Sequence, residues 1–129
     1  AVEVATNWNA WQVKAVKQVI ELEKLPPNWN SYGGLTPTSI ATSGAKALLY
    51  GVPLTVPFIY VSPPRITPIS GGVQFEWKKG RRELEVAFMP DGSLECVKVE
   101  EGKVLNEEPT FPTMRIGEIL PLLSWLIAA

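Results

Sequence analysis

The chain has 129 residues, 46% apolar and 19% charged, with a formal net charge of −1. That is one ordinary domain with material for a core; it is too weakly charged for a disordered polyelectrolyte and has no global field to gather nucleic acid or anionic lipid. Histidine is absent and Cys96 is the single cysteine, which excludes histidine-dependent triads, histidine metal sites and an internal disulfide.

In chain order, Thr6 and Asn7 offer N-cap oxygens. Behind them Trp8, Trp11, Ala15, Val16, Val19, Ile20 and Leu22 recur at helical spacing, which predicts a helix from about Trp8 to about Lys24. Pro26 and Pro27 end it. The stretch "TPTS" predicts a second helix running to about Tyr50, with Thr36 as cap and Pro37 at its first position. Ile40, Ala47 and Leu48 mark its buried side, Gly44 permits close approach, and Gly51 suits a left-handed stop. Between the helices, "LPPNWNSYGG" (25–34) concentrates turn chemistry. Asn28 and Asn30 can fold their amides onto the backbone, Gly33 and Gly34 can take positive φ, and Trp29 and Tyr32 are expected to be buried under the corner. A loop carrying Asn28, Trp29, Asn30 and Tyr32 could also bind a peptide, sugar or base.

From Gly71 the period changes from 3.6 to 2, and residues 71–104 read as successive hairpins, with "RITPIS" before them as an edge strand blunted by Pro68. With Lys79 and Gly80 as the first turn, Val73, Phe75 and Trp77 share a core face with Arg82, Leu84, Val86 and Phe88. Gln74, Glu76, Lys78, Arg81, Glu83 and Glu85 take the other face, Glu76 lying opposite Glu83. Gly92 in "MPDGS" and the pair Glu101 and Gly102 make the next turns, so Phe88 pairs with Leu94 and Val86 with Cys96, which turns inward. The last segment, Thr113 to Ile127, carries an apolar stripe of Ile116, Ile119, Leu120, Leu123, Leu126 and Ile127, which Pro121 either kinks or splits. Its "ILPLLSWLIAA" is too short to span a membrane.

The motifs at Leu25 to Gly34 with Pro37, and at Gly71 to Gly92, resemble those of small, poorly characterised bacterial proteins. Those carry an L-x-x-N-W-D-x-Y-G-A-x-P corner before a helix and a G-G-x-x-x-E-W hairpin. The resemblance covers about residues 20 to 100 and departs from the pattern at Asn30 and Gly34. It implies a fold and no chemistry.

The expected fold is a single α+β domain over residues 1–129: two N-terminal helices, an antiparallel four- or five-stranded meander and a C-terminal helix. Besides the aromatic corner, which could make protein contacts, three surfaces are candidates for function. The first is the apolar excess of Ala87, Val97, Val99 and Val104 on the second sheet face, which the C-terminal helix or a second copy of the protein should cover; the wide C-terminal stripe likewise favours a protein partner or a homodimer if helices 1 and 2 already fill the other face. The second is the basic tip of Lys78, Lys79, Arg81 and Arg82 beside Trp77, a possible nucleic-acid contact. The third is the carboxylate trio Glu76, Glu83 and Glu85, which a hydrolase could use. Ser31, Ser39 and Ser43 have no histidine to activate them. The reading this favours is a non-catalytic, cytoplasmic interaction protein without metal or cofactor, the lone thiol fitting a reducing compartment.

Overall fold

The computed structural model of the chain describes residues 2–53, 57–105 and 116–129. Helix α1 (Val2–Leu22) and helix α2 (Ser39–Gly51) come first, then a 3-10 turn (Phe58–Tyr60). The strands are β1 (Arg65–Ile69), β2 (Gly72–Lys79), β3 (Arg82–Phe88), β4 (Leu94–Glu100) and β5 (Lys103–Val104), and helix α3 (Ile116–Ile127) follows. The strands form one sheet in the order β1-β2-β3-β4-β5, every neighbouring pair antiparallel. The fold is the expected α+β one.

Strict alternation in the strands decides where the helices go. Val73, Phe75 and Trp77 of β2, Leu84, Val86 and Phe88 of β3, and Leu94 and Cys96 of β4 are buried and share one face. Against that face α1 buries Gln12, Ala15, Val16 and Val19, α2 buries Ala41, Thr42, Ala45, Leu48 and Leu49, and α3 buries Ile119, Leu122, Leu123 and Leu126. Phe75 sits at the centre, edge-on to Trp77 (5.6 Å) and Phe88 (4.9 Å). Each of these rings contributes at most about 4 to 6 kcal/mol of burial free energy. A Cβ at Gly44 would lie 3.3 Å from Phe88 Cδ1, so the glycine lets α2 approach the sheet as its position suggests.

Several local expectations are corrected. Helix α1 begins at Val2, so Thr6 and Asn7 lie within it, not at its cap, and Ile20 faces outward. The cap of α2 is Thr38, whose Oγ1 accepts the Ala41 N–H (3.2 Å), while the Thr36 hydroxyl donates to the Leu25 carbonyl (2.7 Å). Pro37 therefore precedes the cap. That shift turns the helix, leaving Ile40 and Ala47 exposed, and α2 ends through Val52 in extended geometry with Gly51 still helical. In the first hairpin the turn is Gly80 and Arg81, with Lys79 opposite Arg82, so Glu76 faces Glu85 and Lys78 faces Glu83. The slip of two residues conserves both faces. Helix α3 runs through Pro121 without a break, and Ile119, Leu120, Leu123, Leu126 and Ile127 of its stripe pack in the same core as α1 and α2, so α3, one of the two expected covers, does not cover the second sheet face; residues 113–115 lie outside the described residues.

Candidate functional site

The corner is held by its own backbone. Asn28 and Ser31 adopt φ of 63° and 65°, with Gly33 at 80°. Asn28 Oδ1 accepts the Gly33 N–H (2.7 Å), and Asn30 Oδ1 accepts both the Tyr32 and Gly34 N–H groups (2.9 and 2.8 Å). Trp29 Nε1–H donates to the Leu35 carbonyl (2.8 Å), which also accepts the Gly71 N–H (2.9 Å). Leu35 N–H in turn reaches Ser70 Oγ (3.0 Å), and the Thr38 hydroxyl reaches the Pro90 carbonyl (2.8 Å). The loop thus staples α2 to two turns at one end of the sheet, and the acceptor oxygens of both asparagines serve that purpose. Tyr32 is not buried under the corner; it is 92% exposed. The turn needs only its amide, so nothing draws the ring inward.

The basic tip is not one surface. Trp77 is 1% exposed, with its Nε1–H on the Ser62 carbonyl (2.8 Å), so its ring is not available for stacking. Lys79 Nζ donates to the Ile127 carbonyl (2.8 Å) and Arg82 Nη1 to the Trp125 carbonyl (2.6 Å). Arg82 also pairs with Glu100 (3.2 Å) and lies with Lys98 against the Trp125 ring (4.9 and 5.2 Å). These side chains supply positive charge to the C-terminal end of α3, whose last turn holds no basic residue of its own. A cation in the core-face register, as Arg82 is, signals such a partner. Arg81 pairs with Glu101 (2.7 Å) and Lys78 with Glu83 (3.5 Å). Gln12 carries no such signal: it is buried with Nε2 on the Leu49 carbonyl (2.6 Å), and its Oε1 has no partner among the described residues.

The outer sheet face is where the remaining candidates meet. By the register its rows are Thr67, Gln74, Ala87 and Glu95; then Arg65, Glu76, Glu85 and Val97; then Lys78, Glu83, Val99 and Val104. The buried residues of all three helices belong to the core on the opposite face, and none of these twelve side chains is buried. Acids gather on β2 and β3, apolar groups toward β4 and β5. A shallow depression of about 250 Å³ lies among Arg65, Glu76, Lys78, Glu83 and Glu85. Arg65 stands 3.9 Å from Glu76, whereas Glu85 has no ion pair among the described residues. Partial burial, with Glu76 and Glu83 adding repulsion, pushes the Glu85 carboxyl above its ordinary range. No group of three or more acidic or cysteine side chains suited to hold a metal occurs among the described residues.

Compared with known proteins, the chain matches no family model, no curated protein and no solved structure.

Proposed function

We propose that the chain is a non-catalytic protein-interaction module that docks a partner on the outer face of its sheet. One observation carries this: all three helices are used up on the inner face, while Ala87, Val97, Val99 and Val104 stand opposite without cover from any described helix. Apolar groups brought together on one open face mark contact surfaces in soluble domains. Self-association through this face, as a homodimer, would also cover it, and light scattering at micromolar concentration reads that as a doubled mass. A cytoplasmic site of action belongs to the proposal, consistent with the chain's single cysteine, Cys96, being buried. No described helix is long and apolar enough to cross a membrane.

The other readings draw less support. Nucleic-acid contact would want Trp77 at the surface beside unengaged cations, and the tip offers neither. A hydrolase would want an enclosed cleft, whereas the carboxylates line an open sheet face. The test is a photoreactive residue placed at position 97 in the native cell, with one at exposed Lys17 of α1 as control. Docking predicts an adduct from position 97 and none from position 17; no adduct from position 97 would remove the proposal.

A further inference from the structure

Resting on that docking reading, we infer that the occupant of the outer face is a cationic amphipathic helix of another protein. The face carries four carboxylates, Glu76, Glu83, Glu85 and Glu95, against two cations, Arg65 and Lys78. Glu76 and Glu85 sit directly opposite one another on neighbouring strands, an arrangement that costs the sheet stability. Lysines or arginines on an incoming segment would relieve it. Beside the acids, Ala87, Val97 and Val99 offer a strip for the apolar side of the same segment.

Size and edges narrow the occupant further. From strand spacing and rise the face measures about 20 Å on a side, about 400 Å² in projection. Two copies packed on this face would bring two acid-rich surfaces together, like charge against like. A helix about 10 to 12 Å wide fits this space, crossing 20 Å in about 13 residues. An added strand is disfavoured at both edges, since β5 has only two residues and β1 carries Pro68. The open acid-and-valine face is left as the surface such a segment would use.

The test uses the whole chain and a labelled 14-residue peptide with lysine and leucine at helical spacing, compared with a peptide in which glutamate replaces lysine. Fluorescence anisotropy is expected to show binding of the lysine peptide alone. Its Kd should rise about tenfold in the Glu76→Gln, Glu85→Gln double variant and rise again with added salt. That variant relieves a repulsion, so it should fold at least as well as the parent. Amide chemical-shift changes should centre on β2 to β4. Equal binding of the glutamate peptide, indifference to the double variant, shifts centred on the helices, or no binding at about millimolar peptide would each overturn the inference. A doubled mass of the chain alone would overturn it too, by giving the face to a second copy. An adduct from position 97 with a protein that has no basic helix would sink this inference while leaving the docking proposal intact.

Discussion

At the scale of single residues, the outer face and the corner use side-chain charge and shape in opposite ways. Glu85 is partly buried and held against Glu76 and Glu83, so the folded chain takes up its proton more readily than the unfolded chain does. Stability is therefore lost as pH rises through the carboxylate range. Glu85→Gln should raise stability at pH 7 by a few tenths to about 1 kcal/mol in urea unfolding, and the gain should shrink toward zero as the pH falls below that range. An unchanged or lower stability at pH 7 would mean the repulsion is relieved in some other way. In the corner the logic is reversed, because Asn30 Oδ1 accepts two amides that would otherwise lack a side-chain acceptor. Asn30→Ala should cost about 1 to 2 kcal/mol, whereas Asn30→Asp, which keeps an acceptor oxygen in place, should cost little. Gly34 has no such tolerance. A Cβ there would lie 2.7 Å from Asn30 Oδ1 and 2.9 Å from Trp29 Cε2, so alanine needs both side chains to move.

At the scale of elements, the period of apolar residues made the helices and strands readable, and what it could not convey was which of several equivalent local signals wins. Thr36 and Thr38 are both capping residues. Thr38 prevails because its hydroxyl also donates to Pro90, a contact 52 residues away along the chain. The first hairpin slipped by two residues for a similar reason: Lys79 and Arg82 reach carbonyls of α3 from positions facing one another, and no local turn preference encodes that. Docking of α3 thus depends on cations from the sheet as well as on its leucines. Arg82→Ala should cost about 2 to 3 kcal/mol and should speed hydrogen exchange in α3 before it affects β2 to β4. Arg82→Lys should recover only part of the loss, since an ammonium cannot serve the Trp125 carbonyl and Glu100 with one planar fork. If α3 stayed as protected as in the parent, the clasp would be incidental.

At the scale of the whole molecule, alternation in β2 to β4 separates an inner layer built for packing from an outer one left for contact. That division was legible in Val73, Phe75, Leu84 and Val86, whose phase survives the register slip. It was not legible that α3 would join α1 and α2 on the inner side, because its stripe would have suited either face; only Lys79, Arg82 and Lys98, all on the inner face, select between them. The expectation that this stripe serves an intermolecular interface falls with that packing, and the outer face remains to carry one. Cys96 and position 97 are neighbours on opposite faces, which turns the single native thiol into an internal standard. The decisive measurement is maleimide labelling of the folded Val97→Cys chain, read by peptide mass. The account predicts one rapid label at position 97 with Cys96 protected; a label at Cys96, or protection of position 97 in the isolated monomer, would contradict it.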